Sequence, residues 1–134
     1  MATRLNPYLH FDGTAREAME FYQSVLGGEL STSRYADFGA AEGEAGERLM
    51  HAMLETPDGL TLMAADAPAG SDFTPPAAFG VSLSGDDAEK LRGWWARLSE
   101  GAEIQVPFEK QAWGDEFGQC VDRFGVPWLV NVAG

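Results

Sequence analysis

Cysteine, histidine and basic residues are scarce in this 134-residue chain, and each scarcity excludes something. A single thiol, Cys120, rules out an intramolecular disulfide and any zinc site built from cysteines. Nine Lys and Arg against 21 Asp and Glu leave a net charge of −12 with no basic cluster. That excludes nucleic acid and anionic membrane surfaces as partners, because a phosphate backbone would be repelled. No apolar run approaches the roughly 18 residues of a membrane span, and the first residues, Met1 to Pro7, contain no signal-type apolar core. These lacks predict a soluble, cytoplasmic protein.

Glycine and proline are plentiful, at 16 and 7, and punctuate a chain that is 45% hydrophobic. The length suits one domain with one real core. Leu5 to Phe11 alternates as a strand, placing Asn6, Tyr8 and His10 on one face. Thr14-Ala15-Arg16-Glu17 reads as a capping box, and Ala18, Phe21, Tyr22 and Val25 then form an apolar helical stripe that stops at Gly27-Gly28. Glu29 to Ala36 favours a strand, and Phe38 to Glu47 reads as a mobile acidic loop. In the strand from Arg48 to Thr56, His51, Met53 and Glu55 share a face opposite Met50, Ala52 and Leu54. Pro57-Asp58-Gly59 turns the chain back into Leu60 to Ala65, with Met63 on the side of His51.

Residues 67–77, rich in proline and glycine, read as a linker, after which the plan begins again. A strand from Ala78 to Ser84 precedes a helix opened by Asp86-Asp87-Ala88-Glu89. Shifting the first helical stripe by 73 positions places Ala18, Phe21, Tyr22, Val25 and Gly28 on Leu91, Trp94, Trp95, Leu98 and Gly101. Identical spacing with the same stop residue marks an internal repeat. Strands at Glu103 to Glu109, Glu116 to Asp122 and Trp128 to Val132 complete the second copy, with Asp122-Arg123-Phe124-Gly125 standing where the first has Thr56-Pro57-Asp58-Gly59.

Two βαβββ modules, residues 4–66 and 78–134, resemble the vicinal oxygen chelate superfamily, which includes glyoxalase I, extradiol dioxygenases and bleomycin-resistance proteins. Asn6-Pro7-Tyr8-Leu9-His10-Phe11, Glu17-Ala18, Phe21-Tyr22, Gly27-Gly28, Met50-His51-Ala52, Trp113-Gly114-Asp115 and Asp122 through Trp128 resemble its PhnB-like group. That group is often labelled a methyltransferase, yet no Gly-rich strand-to-helix turn of a Rossmann domain is present. The resemblance implies a single α+β domain spanning 1–134, a curved, cup-like mixed sheet with helices on its convex face, and a homodimer. It also implies metal-ligand positions on the first and last strand of each module, which fall on Asn6, Met63, Gly80 and Leu129. None of the four is histidine or carboxylate, and thioether, glycine and leucine cannot hold a hard or borderline ion with open coordination sites. No metal and no cofactor is therefore expected.

The expected cup is lined by Asn6, Tyr8, His10, His51, Met53, Glu55 and Met63 from module one. Phe117, Gln119, Leu129 and Asn131 line it from module two, with Trp113 and Asp115 in a loop above. His10 and His51 are the candidate acid/base groups, against the blander reading of hydrogen-bonded pocket-wall residues. Asp115 beside an indole suits a cationic or hydroxylated ligand, although a Gly-Asp pair more often fixes a turn. Asp122, Gly125 and Trp128 read as turn and core, and Cys120 as a small buried hydrophobe. The function expected is binding of a small organic ligand without the usual divalent metal. The alternative is a lyase, isomerase or dioxygenase acting through His10 and His51, or through atypical metal ligands.

Overall fold

The computed structural model describes residues 3–134, and the chain divides into two compact units, one ending at Ala77 and one spanning Ala78–Gly134. The architecture is α+β. The first unit contains β1 (Tyr8–Phe11), α1 (Ala15–Leu26), β2 (Glu29–Arg34), a 3-10 turn at Tyr35–Phe38, α2 (Gly43–Glu47), β3 (Leu49–Glu55) and β4 (Thr61–Asp66). The second contains β5 (Val81–Gly85), α3 (Ala88–Leu98), β6 (Glu103–Lys110), β7 (Glu116–Val121) and β8 (Pro127–Val132). Each unit is a four-stranded mixed sheet, ordered β1-β4-β3-β2 and β5-β8-β7-β6. In each, the first and last strands are parallel neighbours and the remaining pairs are antiparallel. The repeat carries through to the backbone: β5 and α3 begin 73 residues after β1 and α1.

Helix α1 buries Ala15, Ala18, Met19, Tyr22, Val25 and Leu26 against β3, β2 and β4, while Phe21 lies half-buried at the edge of the stripe. The other side of its interface consists of Leu49, Ala52, Leu54, Leu62 and Ala64. Burying side chains of this kind is worth about 1.5–3 kcal/mol each for the larger ones, which holds the helix on the sheet. In module two the ends of the α3 stripe, Leu91 and Leu98, are buried, whereas Trp94 and Trp95 are half-buried. Trp95 stacks on Phe108 at 5.5 Å between ring centroids. Both rings press on Gly118, where an added Cβ would lie 2.9 Å from the Trp95 ring and 3.0 Å from that of Phe108.

Four local expectations are corrected. Thr14 stands at the helix N-cap but makes no side-chain cap bond. Asp66, at the end of β4, instead accepts from Gly13 N and Ala15 N through Oδ1 (2.8 and 3.0 Å) and from Leu49 N through Oδ2 (2.9 Å). Its carboxylate reaches donors from two segments at once, which the short Thr14 hydroxyl cannot.

The stretch expected as a mobile loop, Phe38 to Glu47, contains the last residue of the 3-10 turn and, after irregular residues 39–42, the short helix α2. Arg34 ties it down, donating to Asp37 (2.7 Å) and Glu47 (2.6 Å). Strand β3 carries a bulge, since Ser33 pairs with His51 but Arg34 pairs with Leu49. Met50 is the extra residue, so Leu49 takes the buried place expected for Met50. Finally, β1 starts at Tyr8 rather than Leu5, because pairing with β4 begins at Tyr8–Met63.

Candidate functional site

Alternation along three strands of module one turns one face to α1 and leaves the other open. Leu9 and Phe11 are buried while Tyr8 and His10 are exposed. Ala52 and Leu54 are likewise buried, with His51 and Met53 half-exposed. Tyr8 pairs with Met63, Met63 with Met53 and Met53 with Ser31, making one row across the sheet. In the neighbouring row His10 stands opposite Ala65 and His51 opposite Ser33.

Across these rows the Tyr8 hydroxyl lies 3.2 Å from His51 Nδ1, a hydrogen bond in which the tautomer decides the donor. The Tyr8 ring is 5.2 Å from His10 and 5.8 Å from His51 between centroids. One phenol therefore lies in contact with both histidines of the chain, and it remains 41% exposed. Asn6 Nδ2 points at Met63 Sδ, 3.8 Å away, on the same face.

Glu55 shares that face but not that cluster. It sits four residues beyond His51 along β3, about 13 Å at the usual strand rise, and faces Arg4 at 3.8 Å in an exposed ion pair. Tyr35, by contrast, was not expected to be near the site. Its hydroxyl donates to Asp66 O at 2.7 Å, and burial, then the Asp66 charge, then Tyr8, raise its pKa. No motif marks it, because it reaches this position only through the turn that follows β2.

Module two builds a matching face. Phe117 pairs with Asn131 and Asn131 with Ser84, while Gln119 pairs with Leu129 and Leu129 with Ser82. Gln119 Nε2 donates to Gln105 Oε1 at 2.8 Å, so part of its amide is engaged within the sheet. Asp115 closes the end of this face. Its Oδ2 accepts from Asn131 Nδ2 (3.0 Å) and its Oδ1 from Gly134 N (2.9 Å). Those bonds, from Asn131 first and Gly134 next, hold its pKa below the ordinary carboxylate value. Trp113 lies 6.2 Å from Phe117 and is 64% exposed.

Asp122 and Trp128 are architectural. The Asp122 carboxylate accepts from Phe124 N, Val126 N and Trp128 Nε1, at 2.8, 3.0 and 2.8 Å. Cys120 is buried, and burial pushes its thiol up to about 11.

The four positions at which related proteins would hold a metal form two adjacent pairs here, one in each module. Asn6 meets Met63, and a Cβ on Gly80 would lie 2.6 Å from Leu129 Cδ1. Their side chains offer one carboxamide and one thioether, and Gly80 and Leu129 offer no donor atom. These residues do not fit a divalent ion. Among the described residues no three His, Cys, Asp or Glu side chains come together as a metal-binding group.

A family model for the Glyoxalase/Bleomycin resistance protein/Dioxygenase superfamily matches residues 4–130. The chain is 29% identical to Protein YjdN of Escherichia coli, over 96% of this chain and 94% of that protein. It is also similar to the crystal structure of PA1353 from Pseudomonas aeruginosa, with 31% identity, a TM-score of 0.87 and 98% of each chain covered. The PhnB protein from Bacillus cereus matches at 25% identity and a TM-score of 0.78, over 98% of this chain and 100% of that one. With two βαβββ units and a family match over nearly its whole length, the chain belongs to the Glyoxalase/Bleomycin resistance protein/Dioxygenase superfamily.

Proposed function

We propose that this protein binds a small organic molecule on the open sheet faces described above, without the divalent metal of its metal-dependent relatives. The observation that carries the reading is the cluster of Tyr8, His10 and His51 beside the Asn6–Met63 pair. Three groups able to donate or accept hydrogen bonds converge there, flanked by the thioethers of Met53 and Met63. Few polar groups set among apolar ones are what orient a ligand of this size. The protein is proposed to work as a cytoplasmic homodimer, with Gln119, Leu129 and Asn131 as further contacts.

Native mass spectrometry of protein purified from its own cells tests this directly. A co-purifying small molecule, lost in His51→Ala and Tyr8→Phe, is the expected result. Stoichiometric zinc, nickel, manganese or iron in the same sample would overturn the metal-free reading.

The Tyr8–His51 hydrogen bond favours one second reading. An imidazole oriented by a phenol is placed to move a proton, so the site would serve a lyase or isomerase with His51 as acid/base and His10 beside it. Turnover of the identified ligand by wild type but not by His51→Gln would select this reading over simple binding.

A further inference from the structure

We infer that module two carries a subsite for an organic cation, formed by the indole of Trp113, the ring of Phe117 and the carboxylate of Asp115. This rests on the ligand-binding reading above and names the chemistry that the module-two face would take.

Three observations carry it. The first is an exposed aromatic pair that does not dissolve into the core. Trp113 and Phe117 meet at 6.2 Å and 59°, with Trp113 mostly open to solvent. The second is that the indole is held in place. It sits in a tight turn in which Gly114 N donates to Gln111 O (3.0 Å) and Gln111 N to Asp115 O (2.8 Å), with Gly114 at φ 103°. The indole also contributes, after Asn131 and Gly134, to holding Asp115 in its ionised form.

The third is the unbalanced charge. Asp115 is bound by a neutral amide and a backbone N–H, and among the described residues no Lys or Arg pairs with it. Its neighbour Glu116, by contrast, is paired with Arg92. An ionised carboxylate without a protein counter-ion, in the same turn as an exposed indole, suits an alkylammonium or delocalised cation. The net charge of −12 adds long-range attraction of the same sign.

Choline and its neutral isostere 3,3-dimethyl-1-butanol test this on the full-length protein. The readout is the indole N–H resonance of Trp113, identified by its absence in Trp113→Phe. Choline is expected to shift that resonance saturably and to bind about two- to fivefold more tightly than the alcohol, as a solvent-accessible cation–π contact implies. Asp115→Asn is expected to weaken choline at least about twofold, whereas Thr14→Ala leaves it unchanged. Equal affinity for the two probes, or no shift of the Trp113 resonance at 100-fold molar excess and above, overturns the subsite. Should Asp115→Asn fail to fold, Trp113→Leu replaces it: choline shifts at the Gly114 and Phe117 amides must then vanish, and their persistence overturns the subsite. Loss of the native ligand in His51→Ala with choline binding intact would leave both readings standing. Retention of the native ligand there would count against the module-one reading alone.

Discussion

Asp66 and Thr14 show how one residue can take over another's role. The side chain of Asp66 satisfies Gly13 N, Ala15 N and Leu49 N, so it both starts α1 and fastens β3. Replacing it with alanine leaves two buried donors, Ala15 N and Leu49 N, and the part-buried Gly13 N without partners, and Asp66→Ala should lower unfolding stability by about 3 kcal/mol in urea denaturation. Thr14→Ala should cost less than about 0.5 kcal/mol in the same assay, since its hydroxyl makes no cap bond. Asp115 gives a residue-scale pH prediction. Its folded pKa is depressed, mainly by Asn131, so its contribution is present above the unfolded value of about 3.9 and is lost as pH falls through the lower folded one. Carboxyl NMR titration should find Asp115 titrating below the ordinary carboxylate value, and Asn131→Ala should raise it.

Equivalent elements of the two modules are not equally tolerant. Gly28 and Gly101 occupy the same place in the repeat, after α1 and α3, and both have positive φ (97° and 69°). A Cβ on Gly28 would fall inside contact distance of the Glu55 carbonyl oxygen and 2.7 Å from Thr56 Cα, whereas on Gly101 the nearest atom is Arg123 Nε at 3.8 Å. Gly101→Ala should therefore cost only the left-handed penalty of about 1–2 kcal/mol. Gly28→Ala must also displace backbone, and should cost at least about 2 kcal/mol more by thermal or urea unfolding.

The segment from Tyr35 to Glu47 depends on Arg34, whose hydrogen bonds lower the pKa of Asp37. Hydrogen exchange across residues 35–47 should quicken in Arg34→Ala with little change in global stability, as exposed ion pairs contribute little. It should quicken in wild type as well when pH falls through the depressed Asp37 value.

For the whole molecule, the homodimer proposed above predicts a sedimentation mass near twice 14.5 kDa, and a monomer at tens of micromolar would contradict it. Much of the architecture could be read before any coordinates. Two helical stripes offset by 73 residues, each followed by three strand-like runs, specify two βαβββ units, because alternation and helical periodicity are local consequences of which residues need burial. The open face of module one was legible for the same reason: a period of two puts His51 and Met53 on one side whatever the strand packs against. What could not be read were events joining distant segments. The cap supplied by Asp66, the bulge that exchanges Met50 for Leu49 and the arrival of Tyr35 near Tyr8 leave no periodic trace.

The candidate site divides along the same line. The sequence alone determined that Tyr8, His10, His51 and Asp115 lie on open faces or loops. Only the tertiary structure decided that Tyr8 bonds His51, that Glu55 stands away from them, and that the charge of Asp115 is answered by an amide rather than a cation. Side-chain identity and period follow from the chain itself, whereas a hydrogen-bond partner depends on register between strands far apart in sequence, which packing alone sets.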